Sequence, residues 1–221
     1  LTEASLVNKT FWEVFKNNNA TNLSGVPYIF EILKKLKFNK MELPSLKYIT
    51  QAGGRLDREL CAEFANDCAQ KGIKFYVMYG QVEATARISY LPWEQVQQKP
   101  DSIGIPIPDG KIWLEDENSN VVDKDSLVGE LVYKGANVSL GYAENCFDLN
   151  KGDENQGILH TGDLAKRDQD GFYYIVGRKN RYLKMFGNRI NLDEIEKLII
   201  KEGNECACTG IDDSINIFIT N

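Results

Sequence analysis

The order of secondary structure between residues 46 and 78 constrains the fold of this 221-residue chain most strongly. An apolar strand, Leu46 to Thr50, ends shortly before the glycine pair Gly53-Gly54. A helix is predicted from about Asp57, and Gly72 marks its end. A second apolar strand, Phe75 to Met78, follows. Because strand, helix and strand in this order favour parallel pairing through a crossover helix, we predict an α/β fold built on a parallel sheet.

From about Pro92 the sequence becomes rich in proline and turn dipeptides. Helical periodicity disappears, and three short apolar runs, at residues 112–114, 129–133 and 172–176, indicate strands. Asp109-Gly110 and Asp170-Gly171 are turn dipeptides that favour antiparallel hairpins. We therefore predict that the parallel sheet is followed by a β-rich, barrel-like subdomain.

A third region begins near Gly177. Short strands are predicted on both sides of Gly187, and Asn191 is a candidate helix N-cap that Glu194 can complete reciprocally. The helix that follows has an apolar stripe, expected to be buried, and two further strands are predicted at residues 206–211 and 215–220. The stripe consists of Ile195, Leu198 and Ile199. This pattern predicts the start of a small α+β C-terminal domain, with the three regions spanning residues 1–92, 93–177 and 178–221.

The charge and hydropathy of the chain exclude several classes of function. The formal net charge of −6 argues against a nucleic-acid partner. The longest apolar runs are short and broken by charges, so the sequence predicts no membrane-spanning segment. The single histidine, His160, makes a Ser-His-Asp triad hard to build, and a loop histidine of this kind is usually solvated.

The cysteines indicate a reducing environment. Their number, five, is odd, and no CxxC pair occurs, which argues against a disulfide framework and against a zinc site. Cys61 and Cys68 have helical spacing on an apolar face, where cysteine acts as a small hydrophobic residue. The sequence therefore favours a cytoplasmic location.

Four short motifs in a fixed order carry the candidate chemistry. Each one taken singly also fits an ordinary strand end, turn or basic hairpin. A glycine turn after a strand, a carboxylate that can contact Mg²⁺ or ribose hydroxyls, and a guanidinium that can meet phosphate are together typical of nucleotide sites. The motifs are Tyr79-Gly80-Gln81-Val82-Glu83, Gly129 to Gly135 with Gly141-Tyr142, Thr161-Gly162-Asp163-Leu164, and Gly177 to Glu194 with Arg178, Lys184 and Arg189.

In combination these motifs resemble the core motifs of the adenylate-forming superfamily, which includes acyl-CoA synthetases, firefly luciferase and the adenylation domains of nonribosomal peptide synthetases. Gly53-Gly54 is similar to the family's glycine turn on the adenine side. The resemblance implies an AMP-forming ligase that activates a carboxylic acid with ATP and Mg²⁺, then passes the acyl group to coenzyme A, to a carrier-protein phosphopantetheine or to an amine. It also implies that residues 1–92 form the second half of the nucleotide-binding subdomain and that residues 178–221 begin a mobile C-terminal domain.

The resemblance also implies a role for each matching residue. Glu83 matches the Mg²⁺ contact and, with Lys184, is expected to be catalytic. Asn180 matches the interdomain hinge, and Lys184 and Gly187 match the loop that faces the site during thiol transfer. The remaining positions match nucleotide contacts, with Tyr79 stacking on adenine and Asp163 accepting the ribose hydroxyls. These nucleotide positions are Gly53, Gly54, Tyr79, Gly80, Val82, Asp163 and Arg178.

The sequence departs from the family pattern at Val82, where the family usually has a threonine whose hydroxyl contacts the α-phosphate. By the same resemblance, the phosphate loop is expected before residue 1 and a late catalytic lysine after Asn221, so we expect an internal fragment that is silent alone. A small carboxylic acid is the expected substrate, and an acyl carrier protein is a possible partner. Val82 and the truncation favour an alternative, a non-catalytic nucleotide-binding or scaffold module of the same fold.

Overall fold

The computed structural model describes residues 4–185 and 188–220. By compactness this part of the chain divides into two units. The first runs to Ile112 and includes Tyr133–Leu159 and Asp168–Tyr174, and the second consists of Trp113–Val132, His160–Arg167 and the chain from Ile175 onward. The sequence-based boundaries at residues 92 and 177 stay a prediction.

The first unit contains a five-stranded mixed sheet in the order β1-β2-β3-β4-β5. The pairs β1–β2 and β2–β3 are parallel, whereas β3–β4 and β4–β5 are antiparallel. The strands are β1 Asn22–Gly25, β2 Tyr48–Gln51, β3 Lys74–Tyr79, β4 Ser89–Leu91 and β5 Ile105–Pro106. The predicted α/β fold with a parallel sheet is confirmed, and two antiparallel strands extend that sheet at one edge.

Helices α1 Lys9–Asn17, α2 Pro27–Lys35 and α3 Arg58–Gln70 precede β1, β2 and β3 respectively. Helices α2 and α3 connect the parallel strands, and α3 is the crossover helix that the sequence predicts. Asp57 caps α3, because its carboxylate accepts hydrogen bonds from the amides of Glu59 and Leu60. Gly72, with φ +67°, follows the end of this helix.

An aromatic cluster fills the core between the helices and the sheet of the first unit. Phe64 of α3 lies 5.1 Å from Phe30 of α2 and 6.4 Å from Phe75 of β3, measured between ring centroids. Phe38 stacks on Phe64 at 5.6 Å. Burying each of these rings stabilises the fold by about 1.5–3 kcal/mol, so the cluster holds the helices firmly on the sheet that carries the candidate site.

Four strands form a second sheet in the order β6-β7-β8-β9. They are β6 Lys111–Glu115, β7 Gly129–Lys134, β8 Ile158–Arg167 and β9 Tyr173–Arg178. The predicted β-rich region is therefore present. Within the described part of the chain these strands form an open sheet, with β6 and β9 at its two ends, rather than a closed barrel.

Two hairpins and a helix follow in the second unit. They are β10 Tyr182–Met185 paired with β11 Asn188–Asn191, helix α4 Leu192–Lys201, and β12 Cys206–Ile211 paired with β13 Ser214–Ile219. Asn191 caps α4 by accepting from the amide of Asp193, as predicted. The buried stripe is only partly as predicted, because Ile195 and Ile199 pack on the small core whereas Leu198 is 64% exposed.

Two cysteines are buried in the core of the first unit, as their helical spacing on an apolar face predicts. Cys61 and Cys68 are buried in the core, and burial raises the pKa of each thiol to about 12, so both are unreactive at neutral pH. Among the described residues, all five cysteines are free thiols. None of the helices between residues 4 and 220 is long and apolar enough to cross a membrane.

Candidate nucleotide site

The Glu83 loop, residues 80–88, connects β3 to β4 and is tightly closed. The amide of Ile88 donates to the carbonyl of Tyr79, and the amide of Ala86 donates to that of Gln81. Gly80 is required here because a Cβ atom at that position would lie 2.5 Å from the carbonyl oxygen of Ala86. The loop therefore follows the carboxyl end of a parallel strand, where open α/β sheets bind ligands.

Two adjacent residues of this loop have left-handed backbone angles. Thr85 has φ +52° and Ala86 has φ +63°. For residues other than glycine this conformation costs about 1–2 kcal/mol each. Strain of this size persists only where surrounding contacts impose it, and such positions cluster at functional sites.

The carboxylate of Glu83 accepts a hydrogen bond from the phenol of Tyr142. This hydrogen bond is the main reason that the pKa of Tyr142 is raised above its ordinary value. The amide of Ser139 donates to the backbone carbonyl of Glu83 at 2.7 Å. The Gly141-Tyr142 motif is thus brought to the Glu83 loop. The sequence did not reveal this contact, because Tyr142 and Glu83 are 59 residues apart.

The glycine turn after β2 is anchored by a buried glutamine. Gln51 is fully buried, and its side-chain nitrogen donates to the carbonyl of Gly54 at 2.8 Å. Gly53 has φ +77°, and a Cβ atom at Gly54 would lie 3.2 Å from Pro27. The turn thus presents backbone rather than side chain, which suits close approach by a flat ring. Sequence reasoning missed Gln51 because a polar residue within a short strand gives no signal of burial.

Asp163 lies in β8 and is nearly buried, with a side chain only 5% exposed. The Nε of Arg178, at the end of β9, donates to its carboxylate at 2.8 Å. Thr161, two residues earlier in the chain, holds the backbone of Asp163 in place. Its hydroxyl donates to the carbonyl of Leu131 at 2.7 Å and accepts from the amide of Asp163 at 3.1 Å. Asp163 and Arg178, each of which the sequence predicts as a ribose contact, are therefore brought together.

A cavity of about 350 Å³ lies beside this pair in the second unit, and Asp163 is not among the residues that line it. Lys179 is bonded to Glu130 at 2.7 Å, so its charge is already partly neutralised. Arg178 is likewise paired, with Asp163, and the two side chains are similarly exposed, at 61% for Arg178 and 57% for Lys179. The cavity thus offers two exposed cations, each already ion-paired, to an anionic or hydroxylated ligand. It is lined by Thr161, Gly162, Arg178, Lys179 and Asn180.

The remaining predicted positions are divided between the two units. Tyr79 and Gly80 belong to the first unit with Glu83, and Val82 is 87% exposed. Asn180 lies in the short 3-10 helix Lys179–Arg181 and is exposed. Lys184 lies in β10 opposite Arg189, and Gly187 is outside the described residues.

The carboxylate of Glu83 is the group to test against a metal ion that is shared with a nucleotide. Within residues 4–185 and 188–220, no group of three or more His, Cys, Asp or Glu side chains could hold a metal ion. A single carboxylate such as Glu83 suits Mg²⁺ that keeps several waters and is shared with substrate phosphates. The residues present therefore fit Mg²⁺ bound with a nucleotide.

Comparison with known proteins identifies the fold. The solved structure of O-succinylbenzoate coenzyme A synthetase from Bacillus subtilis in complex with AMP matches with a TM-score of 0.75 over 96% of this chain and 44% of that chain. The two sequences are 24% identical, so this likeness establishes the fold alone.

Two sequence relatives are ligases. Oxalate–CoA ligase of Arabidopsis thaliana is 28% identical over 194 residues, which cover 86% of this chain and 37% of that protein. A long-chain-fatty-acid–CoA ligase of Salmonella typhimurium is 31% identical over 199 residues, covering 86% of this chain and 34% of that protein. The chain thus spans little more than a third of the length of these relatives.

The model of the AMP-binding enzyme family matches residues 2–143, which is more than half of the chain. The chain therefore belongs to the AMP-binding enzyme family, and the resemblance to adenylate-forming enzymes is confirmed.

Proposed function

We propose that the protein carrying this chain activates a carboxylic acid as its acyl-adenylate and transfers the acyl group to a thiol. The observation that carries the proposal is the buried carboxylate of Asp163, which is held by Arg178 beside a cavity. A desolvated carboxylate with a fixed orientation is a strong acceptor for a pair of sugar hydroxyls. Family membership and the names of the relatives, which are CoA ligases, support the same reaction.

The chemistry has two steps. A carboxylate oxygen of the acid attacks the α-phosphorus of ATP, the bond to pyrophosphate breaks, and a mixed anhydride forms. The sulfur of the thiol then attacks the acyl carbon, AMP leaves with the bonding electrons, and the thiol proton passes to solvent. Mg²⁺ bound with the nucleotide offsets phosphate charge. The chain's own contribution is to position the nucleotide and to supply fixed charges around it.

Each predicted site residue has a place in this proposal. Glu83 contacts the Mg²⁺ of the nucleotide, and Asp163 and Arg178 hold the ribose. Lys184, which lies in β10, and Gly187 act in the thiol-transfer arrangement, and Asn180 is the hinge. The adenine lies at the Gly53-Gly54 turn and Tyr79, with Gly80 and Val82 beside the phosphates.

Coenzyme A is the proposed acceptor, because both relatives are named as CoA ligases. The acids in their names, oxalate and long-chain fatty acids, differ widely. The test is to incubate the protein with ATP, Mg²⁺, a panel of carboxylic acids and either coenzyme A or a pantetheine-loaded carrier protein. We expect AMP, pyrophosphate and an acyl-CoA from one class of acid. Formation of ADP, or of acyl-carrier protein alone, would overturn the reaction or the acceptor respectively.

Val82 favours a second candidate, a nucleotide-binding module without catalysis. Its side chain is 87% exposed and offers no hydroxyl to the α-phosphate. The hydroxyl of Thr85 is no substitute in this arrangement, because it donates to the carbonyl of Asn137 at 2.8 Å. A module of this kind would bind AMP but form no thioester with any acid.

Replacing Val82 by threonine should raise the rate of adenylation by about fivefold. One added hydrogen bond to the α-phosphate stabilises the transition state by about 1 kcal/mol. Because Val82 is highly exposed, the substitution removes few packing contacts. The measurement is the single-turnover rate of acyl-adenylate formation, with Val82→Ala as the control that adds no hydroxyl. A rate that falls in Val82→Thr would show that the site is adapted to valine.

A further inference from the structure

A segment of the first unit, Tyr133–Tyr142, grips the Glu83 loop, and we call it the clamp. Two of its contacts reach the backbone of the strained turn, because the side-chain amide of Asn137 donates to the carbonyl of Ala84 at 2.6 Å and to that of Arg87 at 2.9 Å. A third comes from the loop itself, where Thr85 donates to the carbonyl of Asn137. These bonds span the two left-handed residues and fix the turn from both ends.

The orientation of the Asn137 amide is itself fixed. Its oxygen accepts from the phenol of Tyr133 at 2.7 Å, and Tyr133 is fully buried. Gly135 leaves room for this contact, since a Cβ atom there would lie 2.3 Å from the Tyr133 hydroxyl and 2.5 Å from the Asn137 oxygen. Every polar atom of the Asn137 side chain is thereby engaged, which makes the clamp a rigid support rather than a loose contact.

The clamp also reaches Glu83 directly. The amide of Ser139 donates to the backbone carbonyl of Glu83, and the phenol of Tyr142 donates to its carboxylate. The clamp is braced in turn, because Asn155 donates to the carbonyl of Ser139 and the amide of Glu154 donates to that of Leu140, each at 2.8 Å. Both the backbone and the side chain of Glu83 are therefore oriented by residues more than fifty positions away.

We propose that Asn137 and Tyr142 are positioning residues that orient the Glu83 carboxylate for Mg²⁺ bound with the nucleotide. The proposal rests on the function proposed above for Glu83. Hydrogen bonds to a ligating carboxylate from outside the metal shell typically change metal affinity by 10- to 100-fold. Tyr142 engages one carboxylate oxygen and sets the direction of the other, while Asn137 sets the course of the backbone that carries both.

The first test is Tyr142→Phe, which removes only the phenol oxygen from a residue that is 72% exposed. Binding of a fluorescent ATP analogue is followed while Mg²⁺ is titrated, and Mn²⁺ binding in the presence of ATP is followed by electron paramagnetic resonance. We expect the metal concentration at half-saturation to rise about tenfold. AMP affinity in EDTA and the melting temperature should stay as in the wild type. Tyr48→Phe, at a 40% exposed tyrosine of β2, is the matched control.

Glu83→Gln separates the two possible failures. A raised metal requirement in Glu83→Gln with none in Tyr142→Phe would overturn the positioning role and leave the proposed function standing. An unchanged metal requirement in Glu83→Gln would overturn the metal role of Glu83, and the clamp proposal with it.

Asn137→Ala gives a second, independent readout. We expect faster amide hydrogen exchange in residues 81–88 and a raised metal requirement, without loss of metal-free AMP binding. Exchange and metal requirement both equal to the wild type would contradict the role of Asn137. If the variant does not fold, Tyr142→Phe alone decides the proposal.

Discussion

Asp163→Ala should weaken binding of AMP by about 30- to 150-fold, which corresponds to about 2–3 kcal/mol. The side chain is 5% exposed and is oriented by the Nε of Arg178. A carboxylate held in this way is already desolvated, so little is lost when it accepts two sugar hydroxyls. Alanine removes both acceptors and also frees Arg178 to move away from the cavity.

The measurement is calorimetry with AMP on the wild type and three variants. Asp163→Asn keeps the shape and one acceptor oxygen, and we expect an intermediate loss. Asp125→Ala is the matched control, because it breaks another Asp–Arg pair of the second unit, with Arg167 at 3.3 Å, away from the cavity residues. It should bind AMP as the wild type does. Equal AMP affinity for the wild type and Asp163→Ala would remove Asp163 from the nucleotide site.

Lys99→Met should lower the free energy of unfolding at pH 7 by about 2 kcal/mol. This is less than the cost of breaking a deeply buried ion pair, because the cluster of Lys99, Asp168 and Asp170 is only partly buried. The Lys99 Nζ donates to Asp168 at 2.6 Å and to Asp170 at 2.8 Å, and its side chain is 15% exposed. The cation also lies 4.8 Å from the ring centroid of Phe172. Methionine keeps the apolar stem and removes the charge, which leaves Asp168 without its cationic partner.

The same cluster predicts how this deficit depends on pH. Burial alone would raise the pKa of Asp168, but hydrogen bonds from Lys99, the Phe172 amide and Tyr174 outweigh burial and lower it. The pair with Lys99 therefore stabilises the fold above the ordinary aspartate pKa of 3.8, and this contribution is lost as the pH falls through the lower folded-state pKa. Hydrogen bonds to the two carboxylates raise the pKa of Lys99 above its ordinary value of 10.5. The stability that Lys99→Met loses is therefore lost in full at every pH between the ordinary aspartate and lysine pKa values.

Urea unfolding of the wild type and Lys99→Met at pH 7 and near pH 2 tests this account. We expect the difference in stability to be largest at pH 7 and to shrink in acid as the carboxylate of Asp168 becomes protonated. Lys111→Met is the control for loss of an exposed lysine. A deficit of equal size at both pH values would assign the effect to packing rather than to charge.

The elements that could be predicted from the sequence are those specified by local signals. Helix α3 has an apolar face, the cap Asp57 and the terminal Gly72, and β2 and β3 are short apolar runs. Strand β1 was missed because its four residues include only one apolar side chain, Leu23, and β4 and β5 were missed because they are only three and two residues long. Their strand conformation depends on pairing with neighbours distant in sequence, and no local pattern records that pairing.

Leu198 shows the limit of periodicity at a helix surface. Its spacing places it near Ile195 and Ile199, yet only those two pack against the small core of Leu183, Leu192 and Cys208. A core built from two hairpins and one short helix covers only a narrow stripe of the α4 surface. Leu198 lies outside that stripe and is left in solvent. Periodicity gives the direction of a face but not the width that its neighbours cover.

The candidate site divides along the same line. Glu83 and Asp163 could be proposed from the sequence because each belongs to a short motif, and the order of the motifs predicts their chemistry. Tyr142 and Asn137 could not be assigned, because their partners lie 59 and 53 residues away along the chain. Only the folded chain brings the clamp to the loop.

Exchange of labelled pyrophosphate into ATP, in the presence and absence of a carboxylic acid, tests the central claim most directly. The protein that carries this sequence should exchange label only when an acid of the right class and Mg²⁺ are present, and Glu83→Gln should lower that rate. Exchange that is independent of acid, or no exchange with any acid despite tight AMP binding, would contradict the proposed function and favour the non-catalytic module.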